Sequence, residues 1–115
     1  MDSKDFKVVC SEDGKGLLLV RGPHAVGFDI PHGVEFVLEN AFVDCAELRE
    51  VTIPCSVKEI GDNAFEDCRS IERIGIPASV TSIGRDCFKG CDRLQAIHVD
   101  EGNLAYASVD GVLFD

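Results

Sequence analysis

The sequence predicts a solenoid of three full coils, built from short parallel strands plus short helical turns and closed by an N-terminal hairpin cap. The first observation behind this reading is an ungapped repeat of 23 residues. Residues 31–53 read PHGVEFVLENAFVDCAELREVTI, 54–76 read PCSVKEIGDNAFEDCRSIERIGI and 77–99 read PASVTSIGRDCFKGCDRLQAIHV. A period of this length marks a unit that can bury its apolar side only against copies of itself. The second observation is that the apolar and proline positions stay in register. Pro31, Pro54 and Pro77 share one column, as do Val34, Val57 and Val80, and so do Val37/Ile60/Ile83 and Leu48/Ile71/Leu94. The third is size: 115 residues, 45% of them hydrophobic, suit one compact domain. That domain divides into a cap (1–30), three repeats (31–53, 54–76, 77–99) and a partial unit (100–115).

The elements follow in chain order. Phe6, Val8 and Val9 precede, and Leu17 to Val20 follow, the stretch Ser11-Glu12-Asp13-Gly14-Lys15-Gly16, which is turn chemistry between two apolar arms and hence a hairpin signal. Within a repeat, Val51-x-Ile53 alternates and stops at Pro54, which has no N–H to give a ladder, and the pattern recurs at Ile74-x-Ile76 and Ile97-x-Val99. Val57-x-x-Ile60-Gly61 reads as a second short extended piece. Asp62-Asn63-Ala64-Phe65-Glu66-Asp67-Cys68 has polar starters and then apolar residues at the spacing of one helical turn. The columns Phe42/Phe65/Phe88 and Cys45/Cys68/Cys91 belong to the core.

The phrase IP-x-S-V-x-x-I-G-x-x-A-F-x-x-C-x-x-L-x-x-I runs through the repeats. Ile76-Pro77-Ala78-Ser79-Val80-Thr81-Ser82-Ile83-Gly84 and Asn63-Ala64-Phe65-Glu66-Asp67-Cys68 carry it almost letter for letter. It resembles the consensus of the BspA-like leucine-rich repeats, and Asn103-x-x-Tyr106-x-Ser108-Val109-Asp110-Gly111-Val112-Leu113-Phe114 resembles a segment such proteins place after a run of repeats. The resemblance implies a leucine-rich-repeat solenoid from a bacterial or protist surface protein, placed at the cell surface or secreted. It further implies adhesion to extracellular matrix or host surface proteins, without catalysis or a cofactor.

Departures from the repeat are informative. Leu38 stands where the other repeats have Gly61 and Gly84, and Phe36 where they have Glu59 and Ser82. Two bulky apolar groups on an otherwise polar face need a cover, and residues 6–20 are its expected source; a partner-binding patch is the alternative. Val112-Leu113-Phe114-Asp115 resembles the hairpin arm that begins at Lys7-Val8-Val9-Cys10. Read as an unpaired strand, it predicts either continuation into a longer array or self-association through the C-terminal edge.

The chain has 21 acidic residues against 11 basic ones, a net charge of -10 that repels a phosphate backbone. Residues 100–115 contain four acids and no base. Nucleic acid is excluded as a partner class, and basic protein surfaces are favoured. The longest aliphatic run, Leu17 to Val20, is far too short to insert into a membrane, and the charged start, Asp2 to Lys7, is not a signal peptide. Across coils Asp62 aligns with Arg85 and Glu66 with Lys89, which offsets repulsion slightly. Asp44 and Asp67 align without a base, but no calcium loop of the D-x-D-x-D-G kind accompanies them.

Six cysteines lie in the chain, and Cys45, Cys68, Cys91 and Cys87 fall in inward columns as small packing residues. No C-x-x-C pair or zinc-type histidine spacing is present, so no metal site is expected. Cys55 shares the column after the prolines with His32, and adjacent coils are about 5 Å apart. A Cys–His pair is the minimum of a thiol nucleophile, but no third residue orients the histidine here, so this is the remote reading. His24 reads as a solvated loop residue. On the strand face the outward columns are Gly27/Glu50/Arg73/Ala96 and Asp29/Thr52/Gly75/His98. Glu50, Thr52, Arg73 and His98 are the candidate partner-binding residues, since a stacked-strand face varies freely over a fixed core. A purely structural or intracellular spacer is the competing reading, supported by the unpaired thiols.

Overall fold

The computed structural model describes residues 7–22, 26–42, 45–109 and 112–114. Phe6, His24, Asp44 and the Asp110-Gly111 pair lie outside them. Eleven short strands follow one another: β1 (Lys7–Cys10), β2 (Gly16–Arg21), β3 (Gly27–Asp29), β4 (Phe36–Val37), β5 (Glu50–Thr52), β6 (Glu59–Ile60), β7 (Arg73–Ile76), β8 (Ser82–Ile83), β9 (Ala96–Val99), β10 (Ala107–Val109) and β11 (Val112–Phe114). The architecture is the solenoid that the periodicity predicts, with the short parallel strands that the resemblance to leucine-rich repeats implies.

Each repeat contributes one strand to each of two stacks. In the first stack β1 and β2 form the antiparallel hairpin, and β2, β4, β6 and β8 then run parallel, giving a sheet ordered β1-β2-β4-β6-β8. Its register joins Phe36 to Glu59 to Ser82 and Val37 to Ile60 to Ile83, a shift of 23 residues at every step. In the second stack β3 pairs with β5 and β7 with β9, both in parallel. The ladder is interrupted between β5 and β7, which fall in separate two-stranded sheets.

The helical-turn expectation is corrected. Among the described residues there is no helix; 62–67 is a run of tight turns. The backbone N–H groups of Asn63, Phe65 and Asp67 donate to the carbonyls of Arg85, Cys87 and Lys89 in the next coil, at 3.0, 3.0 and 2.8 Å. They are thereby withdrawn from any bond within their own coil, and a helix cannot propagate. Asn40, Asn63 and Asp86, one column, all take positive φ, at 56°, 58° and 53°. Asn and Asp tolerate this left-handed conformation better than other side-chain-bearing residues, and it turns the chain out of a helical path.

Between the two strand stacks and this turn stack lies the core. Phe42 stacks on Phe65 with ring centroids 4.6 Å apart, and Phe65 on Phe88 at 5.9 Å. Phe42 and Phe65 are buried, whereas Phe88 at the end of the column is half-buried. Cys45, Cys68 and Cys91 are buried beside them, and each thiol points at a carbonyl of the preceding coil: Val20, Phe42 and Phe65, at 3.6, 3.7 and 3.1 Å. Burying a large side chain of this sort stabilises by about 1.5–3 kcal/mol. The aligned charges do not pair as expected. The Asp62 carboxylate accepts from the Arg85 backbone N–H at 2.8 Å, and Glu66 accepts from the Asn63 amide at 2.8 Å.

At the C-terminal end Asn103 takes the place of the column valines. Its amide donates to the carbonyls of Pro77 and Val80, and its side-chain oxygen accepts from the N–H groups of Ala105 and Tyr106. The Tyr106 hydroxyl accepts from the Ile83 N–H at 2.9 Å, so a side chain meets a backbone group on the edge strand β8. The expectation of an unpaired terminal strand is also corrected: Val112–Phe114 pairs antiparallel with Ala107–Val109, the Asp110-Gly111 pair standing between them in sequence. The pairing satisfies one edge of β11, and within this two-stranded sheet its other edge has no laddered neighbour among the described residues.

The column glycines set a test of the stacking. A Cβ at Gly61 would lie 2.7 Å from the backbone nitrogen of Glu39, whereas at Gly75 it would meet nothing nearer than 4.0 Å. Gly61→Ala should therefore lower stability by about 1–3 kcal/mol through overpacking, with Gly75→Ala near neutral. Urea denaturation of the two variants reads the difference, and equal midpoints would contradict the close approach of the coils.

Candidate functional site

The second strand stack places alternate side chains outward, as the 23-residue spacing requires. Its registers are Gly27 to Glu50 and Asp29 to Thr52 on one side of the interruption, and Arg73 to Ala96 and Gly75 to His98 on the other. All four candidate residues, Glu50, Thr52, Arg73 and His98, are exposed on this face.

They do not form a single cluster. Thr52 and His98 line an open cleft of about 430 Å³ centred on Gly75, with Ile53, Ile76 and Val99 among its walls and Asp100 at its end. Glu50 and Arg73 do not line it; they occupy the neighbouring outward column. The cleft exists because Gly75 has no side chain between the hydroxyl and the imidazole, and because β5 and β7 are not laddered where it crosses them. Asp100 was not among the sequence candidates. Its backbone N–H donates to Ile76, and its carboxylate accepts from Gly102 at 2.8 Å, which fixes the acid at the rim. The available signal was Gly75 itself, a glycine in an outward column flanked by polar side chains.

Chemically this arrangement is suited to recognition. An apolar floor, one hydroxyl, one imidazole and one carboxylate can orient a protruding side chain of a partner. Among the described residues no group of three or more His, Cys, Asp or Glu is placed to hold a metal ion. No helix there is long and apolar enough to cross a membrane.

The remote thiol pair fares differently. His32 and Cys55 are both exposed in the turns after the prolines, and no hydrogen bond joins them among the described residues. The bond that does cross this turn is structural: the Ser56 hydroxyl accepts from Gly33 N–H at 3.0 Å and donates to the Val34 carbonyl at 2.8 Å. The buried thiols are held in their neutral form. Burial pushes Cys87 up to about 12 and Cys91 up to about 11, and burial, reinforced by the neighbouring Cys45, raises Cys68 further still.

Residues 25–109 match the family described as BspA type leucine rich repeat region, in six copies. Several solved structures share the fold, among them these three. A leucine rich cell surface protein from Faecalibacterium prausnitzii A2-165 is 36% identical with a TM-score of 0.70, over 76% of this chain and 22% of that one. The pneumococcal vaccine antigen PcpA is 31% identical with a TM-score of 0.74, over 79% and 23% respectively. A leucine-rich repeat protein from Eubacterium ventriosum is 25% identical with a TM-score of 0.71, over 85% and 28%. The chain thus spans about a quarter of the length of these relatives. No curated protein sequence matches it.

The thiol environments yield a pH dependence. A thiol whose folded value lies above its unfolded one contributes stability that is fully present below the unfolded value and lost as pH rises toward the folded value. For Cys91, raised from 9.0 to about 11, the loss spans that interval. The urea midpoint should fall between pH 9 and 11 and fall less in Cys91→Ala; an unchanged slope in the variant would contradict the buried neutral thiol. At neutral pH, iodoacetamide should label Cys10 and Cys55, the two exposed thiols, and spare Cys68, Cys87 and Cys91 until the chain is unfolded.

Proposed function

The chain belongs to the BspA-type leucine-rich repeat family, and on that premise we propose that it is a non-catalytic protein-binding module within a surface protein. Its partner is a protein of the extracellular matrix or of a host surface, bound through the strand face. The observation that carries this reading is the cleft at Gly75, with Thr52 and His98 on its flanks and Asp100 at its rim. Glu50 and Arg73, exposed in the adjacent column, extend the same face. A rigid stack beneath them keeps the ordering cost of binding low, because the backbone is already fixed before the partner arrives. The relatives named as a cell surface protein and as a vaccine antigen support a surface location.

Binding of the intact chain to immobilised fibronectin, laminin and collagen, read by biolayer interferometry, tests the proposal. Where binding is found, Gly75→Trp, which fills the cleft, and the double variant Thr52→Ala/His98→Ala should each weaken it by about tenfold or more. Variants that fold and bind as the parent does would remove the site from this face. Absence of binding to every matrix protein would favour the spacer reading.

A further inference from the structure

A second apolar surface lies away from the cleft, beside the N-terminal hairpin. The predicted cover of Phe36 and Leu38 is incomplete. β2 packs parallel to β4 with Gly16 opposite Phe36, and the Leu38 N–H donates to the Leu17 carbonyl at 3.0 Å. This pairing buries Leu17 and Val37 on the inner side but brings Gly16, Leu18, Phe36 and Leu38 together on the outer one. Leu18 and Leu38 each remain 38% exposed, and Phe36 is half-buried. They form the floor of an open groove of about 550 Å³ whose rim carries Glu12, Asp13 and Lys15. Gly16 leaves the groove its depth, since a Cβ there would stand 3.8 Å from the Leu38 side chain.

Charge around the groove decides what suits it. The two lysines near it are both drawn to one acid: Lys58 lies 3.2 Å and Lys15 4.0 Å from the Glu35 carboxylate. Glu12 and Glu59, the register neighbour of Phe36, form no ion pair among the described residues, and Asp13 feels Lys15 only as a minor attraction. Asp13 is kept ionised by the Ser11 hydroxyl and the Lys15 N–H, which hold it below the usual carboxylate range. An apolar floor under an acidic rim complements a chain that presents aliphatic groups between cations. A second copy of this chain, at a net charge of -10, is repelled instead.

We propose that this groove is a second docking site, independent of the strand-face cleft. It takes a segment of a partner protein in which aliphatic side chains alternate with lysine or arginine. The aliphatic groups seat on Leu18, Phe36 and Leu38, and the cations meet Glu12, Asp13 and Glu59.

The test is a titration of the intact, isotopically labelled chain with the peptide Ac-KLKLK-amide, followed by amide chemical shifts. Ac-KSKSK-amide and Ac-ELELE-amide serve as probes of the apolar and the charged component. The proposal expects shifts centred on Gly16, Leu18, Phe36 and Leu38, with affinity for either control lower by about tenfold. Leu38→Ser should reduce binding of the first peptide by a similar factor, as should the charge reversal Glu12→Lys/Glu59→Lys. Should Leu38→Ser lose its dispersed spectrum, Leu18→Ser, at a position of equal exposure, replaces it. The proposal is overturned by absence of shifts with Ac-KLKLK-amide, by equal affinity for Ac-KSKSK-amide, or by shifts centred on Thr52, Gly75 and His98. A doubled mass of the free chain by light scattering, abolished by Leu38→Ser, would overturn it too by making a second copy the occupant.

Discussion

Everything in this molecule depends on backbone groups finding their partners one coil away. A coil of 23 residues closes on itself with few internal bonds, so its N–H and C=O groups are satisfied chiefly by the coil before and the coil after. At the ends of the paired strands in the first stack the later coil donates to the earlier: Lys58 to Glu35, Gly61 to Val37, Thr81 to Lys58, Gly84 to Ile60. In the turn stack the sense is reversed, with Asn40, Phe42, Asn63 and Phe65 donating forward to Asp62, Ala64, Arg85 and Cys87. The phenylalanine and thiol columns fill the space these ladders enclose. Close approach of coils requires glycine at 61 and 84, and this same spacing gives the outer faces their register.

Both candidate sites arise where that regularity is relaxed. On the strand face, the ladder lapses between β5 and β7 and Gly75 carries no side chain, so a cleft opens over Ile53 and Ile76. Beside the hairpin, Phe36 and Leu38 replace the polar and glycine residues of the later coils, and the arm β2, parallel to β4, buries Val37 between them but leaves their outer side accessible. A repeat protein can tolerate such exceptions because its stability is spread over nearest-neighbour interfaces, each of which needs only the fixed columns.

Much of this was legible in the residues. The in-register columns predicted the outward columns of the strand face and the burial of Phe42, Phe65, Cys45, Cys68 and Cys91, because period and burial are set by the same nearest-neighbour packing. The turn at 62–67 was misread as helical: its apolar spacing fits one helical turn, and the competing pull of carbonyls in the next coil is a long-range effect that a local pattern does not carry. Asn63 and Asp86, tolerant of positive φ, were the local hint. The lapse between β5 and β7 left no mark in composition. The pairing of Val112–Phe114 back onto Ala107–Val109 was signalled by Asp110-Gly111, a dipeptide favoured in two-residue hairpin loops.

Native-state hydrogen exchange tests the central claim most directly, because the turn amides of Asn63, Phe65 and Asp67 are bonded only if neighbouring coils supply the acceptors. The account predicts that these three exchange within about tenfold of the amides of Lys58 and Gly84, which flank β6 and β8 and bond to the preceding coil, all opening with the stack. Exchange of the turn amides at the rate of an unstructured chain, with the strands still protected, would show that the coils are held by their strands alone.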